Sequence, residues 1–296
     1  MEIYFIDRKT GEKKKETVAG DRLLNWTYDT RVGKSLLEVF IKRKLFSSIM
    51  GSYMDLPYSK KRIPSFVQEL ELDILEADRE KPEEYASFND FFARKLKPGA
   101  RKIDMDRNSF ISPADGRVLA YENIDIREVI QVKAFVYSLA ELFQRDSLAK
   151  EYDGGTCIVV RLCPADYHRF HFPADGVPGE SIAIKGQYYS VSPIALGKVA
   201  NIYCQNKREY TILKTEDFGE VVLMEVGATC VGSIIQTYEA GKEVKKGDEK
   251  GYFKFGGSTT ILFIKKGMLK VDEDIIKNTD AGIETRVLMG ERIGQR

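Results

Sequence analysis

The stretch Tyr252-Phe253-Lys254-Phe255-Gly256-Gly257-Ser258-Thr259-Thr260-Ile261-Leu262-Phe263 places two glycines and a serine between two apolar runs that are typical of β-strands. Glycine can adopt positive φ, so this turn can take shapes that other residues avoid. A serine on such a turn can reach the carbonyl of the residue before it. The pattern therefore indicates a chain that can cut itself between Gly257 and Ser258. The alternative is a tight turn or bulge in which Ser258 only bonds the backbone.

The composition is that of a soluble globular protein with one large domain or two small ones. The 296 residues are 43% hydrophobic and 31% charged, and the net charge is +1. This balance gives no overall attraction to nucleic acid. Residues 1–62, however, carry 14 Lys and Arg against 8 Asp and Glu. The surplus predicts that this segment meets an anionic surface, either membrane lipid or nucleic acid.

The cysteines and the apolar runs bear on the compartment. The four cysteines have no CxxC spacing and lie in apolar runs, so we expect buried free thiols at Cys157, Cys163, Cys204 and Cys230. The first residues lack the basic and then apolar pattern of a signal peptide. No apolar run approaches the ~18–20 residues of a spanning helix, so we expect any membrane contact to be peripheral.

The chain divides into a helical part and a β-rich part. After a hairpin over 1–20, apolar periodicity predicts helices over 35–50 and 64–78 and another that begins after Ser87 and continues to the Lys97-Pro98-Gly99 stop. A further helix is expected over 138–149. Short β-branched runs predict strands over 116–121, 156–162, 181–184, 210–215, 220–226, 230–238 and 259–264. The tail 274–296 is polar and weakly patterned.

These patterns predict an α+β fold, with a mainly helical domain over 1–108 and an antiparallel β-rich catalytic core over 109–296. The hairpin 241–248 resembles one found in lipoyl and biotinyl carrier domains, so the core can share their barrel-sandwich architecture. The helix 35–50 carries a basic stripe beside a broad apolar face. Such a helix can lie in a lipid headgroup layer, or it can be an ordinary core-facing helix.

Both histidines of the chain, His168 and His171, lie within four residues of each other. Imidazole can take and return a proton near neutral pH, and a serine needs such a base to act as a nucleophile. The base in turn needs an orienting carboxylate, for which Asp115, Asp166 and Asp175 are candidates. The alternative is that each histidine is simply packed and hydrogen-bonded.

Other chemistries have little support in the sequence. The His-x-x-His spacing lacks the further ligands of common zinc patterns, so we expect no metal. The phosphate-binding GxxxxGK[ST] pattern and the hydrolase Gly-x-Ser-x-Gly pattern are missing from the sequence.

Taken in order, several motifs resemble the phosphatidylserine decarboxylase family, from about residue 20 to 270. The motifs are Phe91-Phe92-Ala93-Arg94-Lys95-Leu96-Lys97-Pro98-Gly99-Ala100-Arg101, Ser112-Pro113-Ala114-Asp115-Gly116, Val132-Lys133, Tyr137-Ser138-Leu139, Tyr167-His168-Arg169-Phe170-His171, Asn206-Lys207-Arg208-Glu209, Val226-Gly227-Ala228-Thr229-Cys230-Val231-Gly232-Ser233-Ile234 and Gly256-Gly257-Ser258-Thr259. Many members have Leu where Gly256 stands, and Gly is common where Ala134 stands. Neither departure removes a reacting group.

The resemblance implies a pyruvoyl-dependent enzyme that cuts itself. Ser258, His171 and Asp115 would act as a triad that breaks the Gly257–Ser258 bond, leaving a β chain, 1–257, and an α chain, 258–296. Ser258 would become a pyruvoyl group, which forms a Schiff base with the substrate amine and accepts electrons as CO₂ leaves. His168 would serve the decarboxylation, although the spacing also allows the two histidine roles to be exchanged.

The resemblance also implies the partners of the chain. These are an anionic phospholipid surface at the cytoplasmic side of the cell membrane, bound peripherally, and the β and α chains held together as a heterodimer, which we expect to form a homodimer. No nucleic-acid partner is implied. Two other classes stay open at this point: a carrier module, which lacks the modified-lysine turn, and an uncut relative that only binds lipid.

Overall fold

The computed structural model describes residues 2–17, 21–38, 42, 44–132, 135–229, 233–256 and 258–296. The helices within these residues are α1 Asp21–Asp29, α2 Arg31–Leu36, α3 Lys44–Asp55, α4 Ile63–Glu69, α5 Phe88–Phe92, α6 Leu139–Phe143, α7 Asp146–Lys150, α8 Pro193–Leu196, α9 Ile202–Gln205 and α10 Glu273–Asp280. The strands are β1 Tyr4–Asp7, β2 Lys13–Lys15, β3 Ser109–Ile111, β4 Gly116–Tyr121, β5 Val129–Val132, β6 Phe135–Tyr137, β7 Thr156–Leu162, β8 Arg169–His171, β9 Val177–Pro178, β10 Ile182–Ile184, β11 Arg208–Lys214, β12 Glu220–Val226, β13 Ile234–Gln236, β14 Glu249–Phe253, β15 Ser258–Ile264, β16 Lys270–Val271, β17 Glu284–Val287 and β18 Arg292–Gln295.

A ten-stranded sheet forms the centre of the fold. Its strands follow the order β10-β11-β12-β15-β7-β4-β17-β1-β2, and β9 pairs with β11. The neighbours are antiparallel except β1 and β17, which are parallel. The predicted α+β class is confirmed, and the path is open from β10 to β2, so the sheet does not close into a barrel.

The two faces of the large sheet carry separate hydrophobic cores. Because side chains alternate along a strand, Ile261 and Phe263 of β15 face one core, which also contains α6 to α9. Leu262 and Ile264 face the other core, which they share with α10 and two smaller sheets, β13-β14-β8 and β16-β18-β3. By the same alternation, Ser258 lies on the face of Leu262, the one that the smaller sheets cover.

The N-terminal helices form a third cluster, built mainly from aromatic side chains. Met54 of α3, Ile63 of α4 and the phenylalanines of α5 are buried there. Phe255 packs into the same cluster from the chain just before Ser258. The helical part of the protein therefore contacts the segment that leads to Ser258.

The predicted helix 35–50 is wrong as a single element, because α2 ends at Leu36 and α3 begins at Lys44. Residues 39–41 and 43 lie outside the described part of the chain, and Lys42 is in a turn. The backbone carbonyl of Lys42 accepts a hydrogen bond from the Tyr188 N–H at 3.0 Å. The Lys42 N–H also bonds the Leu37 carbonyl at 3.2 Å, so both backbone groups of this turn residue are engaged between the two helices.

Two more helices were predicted too long, and a third is divided in two. The one that begins at Pro64 ends at Glu69, close to Glu71, which has φ +51°. The helix that Ser87 caps ends at Phe92, well before Pro98. The predicted helix 138–149 is split into α6 and α7 by Gln144, also at φ +51°. A left-handed residue stops a helix, and composition does not reveal where a non-glycine residue adopts that state.

The strands were predicted better than the helices. The bounds of β4, β7 and β12 agree with the prediction, and the hairpin near the N-terminus is confirmed as β1 and β2. Of the predicted strand 230–238, residues 230–232 lie outside the described residues and β13 spans Ile234–Gln236. The weakly patterned tail contains most of α10 together with β17 and β18, which the sequence did not indicate.

Residues 258–296 are interleaved with the rest of the chain. β15 lies between β12 and β7, and β17 lies between β4 and β1. A cut at residue 257 would therefore leave its two products joined by complete strand ladders. The division into domains at residue 108 stays a prediction, and the pairing of β1 with β17 carries the first strand into the large sheet.

Two sequence expectations about the whole chain can be compared with the described residues. Cys157 and Cys163 are buried free thiols, as predicted, whereas Cys204 is a free thiol that is only half-buried and Cys230 lies outside the described residues. Within the described part of the chain, no helix is both long and apolar enough to span a bilayer.

Candidate active site

Ser258 is the first residue of the central strand β15. It pairs with Leu162 of β7 and is 0% exposed. Its Oγ has no hydrogen-bond partner among the described residues. Gly256 has φ +138°, a conformation that L side chains rarely adopt, as the sequence predicted for this turn. Gly257, the predicted cleavage position, lies outside the described residues.

Asp115 ends the loop before β4, at the same end of the sheet as Ser258. Arg117 pairs with Arg161 of β7, next to the residue that pairs with Ser258. Ser258 is therefore separated from the start of β4 by two strand spacings, a distance of about 10 Å. Gly116 allows this approach, since a Cβ there would lie 2.7 Å from the Arg161 carbonyl oxygen.

Asp115 is buried and fully engaged by hydrogen-bond donors. Its Oδ1 accepts bonds from Arg101 Nε at 3.0 Å and from the Met289 N–H at 2.8 Å. Its Oδ2 accepts a bond from Arg101 Nη2 at 2.6 Å. Arg101 also pairs with Glu76 at 2.8 Å, so the region after the N-terminal helices fixes the position of this carboxylate.

His171 lies at the end of β8, beside the Asp115 loop. Its backbone N–H donates to the Pro113 carbonyl at 2.8 Å, two residues before Asp115. The imidazole ring lies 5.7 Å from the Tyr167 ring, between centroids, and the residue is 6% exposed. Nδ1 of His171 is buried and has no hydrogen-bond partner among the described residues.

His168 lies against the chain just before Ser258. Its backbone carbonyl accepts a hydrogen bond from the Phe253 N–H at 2.9 Å, and its ring centroid is 3.9 Å from that of Phe92. Nδ1 is 2.9 Å from the Asp166 carbonyl oxygen, which assigns the proton to Nδ1. Nε2 is then an acceptor, and it is buried without a hydrogen-bond partner in the described chain.

Burial keeps both histidines neutral. Desolvation lowers the pKa of His168 from 6.5 to about 4, against the opposing effect of the Asp166 carbonyl. Desolvation likewise lowers the pKa of His171 to about 4, against the attraction of Glu249. Each ring therefore carries a free lone pair at neutral pH and can accept a proton.

The three carboxylates that the sequence offers as partners for a histidine differ in their burial and contacts. Asp166 is buried, and although burial alone raises its pKa, the Arg117 guanidinium at 2.6 Å holds the pKa below the usual range. The side chain of Asp175 is 60% exposed and borders the 241–248 hairpin. Asp115 is the buried carboxylate whose loop contacts His171.

The predicted site residues are gathered at one end of the large sheet, but they are not yet linked. Among the described residues, no hydrogen bond joins any two of Ser258, His171, Asp115 and His168. The described chain also contains no group of three or more His, Cys, Asp and Glu side chains placed to hold a metal ion.

Sequence reasoning assigned no role to several residues that build the site. Asn89 of α5 accepts a bond from the Phe255 N–H at 2.8 Å, and its Nδ2 donates to Asp55 at 2.9 Å. The Phe255 ring lies 5.0 Å from that of Phe88 and 5.3 Å from that of Phe92. These residues lie in or beside the 91–101 and 256–259 motifs, so the sequence did mark this region. A motif does not show which side chains contact each other, however.

Buried hydroxyl and imidazole groups that have no hydrogen-bond partner in the described chain, with the pKa of both histidines lowered by burial, are typical of an enzyme active site. A model of the family described as phosphatidylserine decarboxylase matches residues 88–295. A phosphatidylserine decarboxylase proenzyme of Clostridium botulinum (strain Hall) is 53% identical over 292 residues, which cover 99% of each chain. A protein of the same name from Clostridium perfringens (strain SM101) is 52% identical over 294 residues, which cover 99% of this chain and 100% of that protein. The chain belongs to the phosphatidylserine decarboxylase family, so the resemblance seen in the sequence is confirmed.

The two buried histidines predict a fold that weakens in acid. Unfolded histidine binds a proton near pH 6.5, whereas folded His168 and His171 stay neutral down to about pH 4. Unfolding therefore takes up protons between these values, and the free energy of unfolding falls as the pH falls. We expect this fall between about pH 6.5 and 4 in urea titrations of an uncut Ser258→Ala protein.

The matched control replaces one histidine by Gln in the same uncut protein. Removing one buried histidine should reduce the slope of the free energy of unfolding against pH by up to about 1.4 kcal/mol per pH unit. The comparison isolates histidine from the carboxylates, which also titrate in acid. An identical slope in His168→Gln and its parent would show that this ring is not held neutral.

Proposed function

We propose that the chain is the precursor of a phosphatidylserine decarboxylase, which converts its own Ser258 into a pyruvoyl group and then removes CO₂ from phosphatidylserine to give phosphatidylethanolamine. The observation that carries this proposal is the Ser258 hydroxyl, buried without a partner in the described chain of a member of this family. An unsatisfied buried hydroxyl costs about 1–3 kcal/mol. A reaction of this hydroxyl would explain why the fold buries it despite that cost.

The first reaction is an attack of the chain on itself. The Ser258 Oγ gives its proton to a base and attacks the Gly257 carbonyl carbon. The bond from that carbon to the Ser258 nitrogen then breaks, the nitrogen takes a proton, and an ester remains. Loss of the Ser258 Cα proton expels the Gly257 carboxylate and leaves a dehydroalanine, an enamine that becomes an imine as its Cβ takes a proton. Water then replaces the imine nitrogen as ammonia leaves. The products are the β chain 1–257 and the α chain 258–296.

We assign the base role to His171 and its orientation to Asp115. His171 has a neutral ring with a free Nδ1, and its backbone is bonded to the loop that carries Asp115. Forming the Asp115–His171 hydrogen bond requires a shift of either side chain, since Arg101 and the Met289 N–H now occupy the carboxylate. Catalytic hydrogen bonds are often long or absent before the reactive complex forms.

The surroundings of position 258 fit a pyruvoyl group. Its ketone supplies an acceptor for the substrate amine and for the electrons released with CO₂. Leu162 would flank the group, and the ring of Phe255, three residues before it, packs against Phe92 in the aromatic cluster. We assign to His168 Nε2 the placement or return of the proton that replaces CO₂ on the substrate.

Substitutions at three positions separate cutting from decarboxylation. We expect Ser258→Ala and His171→Ala to remain a single full-length band on a denaturing gel, because each removes a group needed for the attack. His168→Ala should be cut into two bands but lose most decarboxylation, by roughly 100-fold or more, because a positioned acid or base contributes about that much.

Each result has a clear contrary outcome. Normal cutting of Ser258→Ala would rule out the proposed nucleophile. Cutting of His171→Ala together with an uncut His168→Ala would exchange the two histidine roles. An exposed arginine variant, Arg127→Gln, controls for general effects of mutation and should behave as the parent.

We also propose that the N-terminal segment, within 1–108, docks on an anionic membrane surface. Ile49, Leu56 and Tyr58 are 60%, 53% and 64% exposed, and the three basic residues 60–62 follow directly and are also exposed. The opposite side of α3 packs on α5, whose Phe92 touches His168. A bilayer held by this surface would lie beside the proposed site.

Vesicle flotation tests this docking. The Lys60→Gln/Lys61→Gln/Arg62→Gln variant should bind vesicles containing anionic lipid about 100-fold more weakly, since each basic residue near such a surface contributes about 1 kcal/mol. The charge-matched control is Lys242→Gln/Lys245→Gln/Lys270→Gln, which changes exposed lysines elsewhere. Equal loss in both variants, or none in either, would reject this surface. Peripheral location at the cytoplasmic side of the cell membrane and assembly of two β–α pairs into a homodimer stay predictions.

A further inference from the structure

Arg94 is a buried cation that the proposed mechanism does not use. It follows α5 by two residues and is 5% exposed. Its Nη1 is buried and makes no hydrogen bond to any described residue. Burial is the largest influence on this group, and it lowers the pKa of Arg94. An unpaired buried guanidinium lowers the stability of the fold, and a bound anion would offset that cost.

The backbone around Arg94 places it beside the histidine segment. The Phe92 ring lies 3.9 Å from the His168 ring, between centroids. The carbonyls of Ala93 and Arg94 both accept from Arg169 Nε, at 2.9 and 3.4 Å. The guanidinium carbon of Arg94 lies 5.1 Å from the centre of the Phe91 ring. Arg94 therefore lies close to the site, within an aromatic wall.

The carboxylates that influence Arg94 are already neutralised. The negative charges of Asp115 and Asp166 both favour the charged form of Arg94 and so raise its pKa, against the larger effect of burial. However, Asp115 is bound by Arg101 at 2.6 Å, and Asp166 is bound by Arg117 at 2.6 Å. Arg101 also pairs with Glu76, and Arg117 also pairs with Glu16, whereas no ion pair engages Arg94 among the described residues. An incoming anion can therefore pair with the Arg94 guanidinium.

We propose that Arg94 binds an oxyanion of the substrate headgroup through its free Nη1, beside His168. This inference rests on the proposed function, because phosphatidylserine brings two such anions, its α-carboxylate and its phosphodiester. Both accept hydrogen bonds from a guanidinium, and a charge-assisted bond is about twice as strong as a neutral one. Arg94 is therefore a specificity residue that distinguishes this anionic headgroup from neutral amines.

Kinetics of the cut enzyme test the assignment. With a short-chain phosphatidylserine kept below its micelle concentration, Arg94→Gln should be cut as usual, raise KM by about 10- to 100-fold and change kcat by less than about 3-fold. Arg94→Lys keeps the charge and should recover part of the loss. The control is Arg79→Gln, an arginine that has its own partner in Asp90 and should leave KM unchanged.

Two inhibitors without an amine identify the anion. Glycerol 3-phosphate carries a phosphate and propionate carries a carboxylate, and each should compete with substrate in the parent enzyme. Weaker inhibition of Arg94→Gln by glycerol 3-phosphate alone assigns Arg94 to the phosphodiester. Weaker inhibition by propionate alone assigns it to the α-carboxylate. Unchanged inhibition by both overturns the proposal.

The remaining outcomes are also decisive. An unchanged KM in Arg94→Gln shows that the guanidinium does not hold substrate. If both Arg94→Gln and Arg94→Lys stay uncut, Arg94 serves folding or cleavage and the proposal fails. A parent enzyme that is cut but does not decarboxylate phosphatidylserine would instead refute the proposed function, so the two failures are distinguishable.

Discussion

The site depends on one constraint, the burial of the Ser258 hydroxyl at the start of the central strand β15. Strands β7 and β12 hold the backbone of β15 on both sides, and the smaller sheet carrying His171 covers that face. A hydroxyl in this position loses water without gaining a partner among the described residues. The sheet therefore supplies the free energy that keeps a reactive group unsatisfied, in the way that functional sites commonly store strain.

The electrostatics of the site follow from the same burial. Desolvation keeps His168 and His171 neutral, so both can accept protons, while arginines neutralise the buried carboxylates of Asp115 and Asp166. The N-terminal helices enter this arrangement directly. Phe92 packs on His168, and Asn89 bonds the backbone that leads to the proposed cleavage turn. The helical region that we propose docks on lipid is thus also a wall of the site.

Local sequence predicted what is locally determined. Short β-branched runs located β7 and β12, and Ser87 located the start of α5, because these signals act within a few residues. The predicted helix bounds were wrong at Lys42, which lies in a turn that contacts Tyr188, and at Gln144, which is left-handed. The site residues were identified by motif, and the fold gathers them at one end of the sheet. The surroundings of Arg94 and the partners of Arg101 could not be predicted, since they depend on which distant segments pack together.

The central claim is that Ser258 is consumed to form a pyruvoyl group. Intact-mass spectrometry of the purified wild-type protein tests it most directly. The predicted result is two masses, those of residues 1–257 and of residues 258–296 with a pyruvoyl group in place of the first serine. A single full-length mass, or a light chain that begins with unmodified serine, would contradict it.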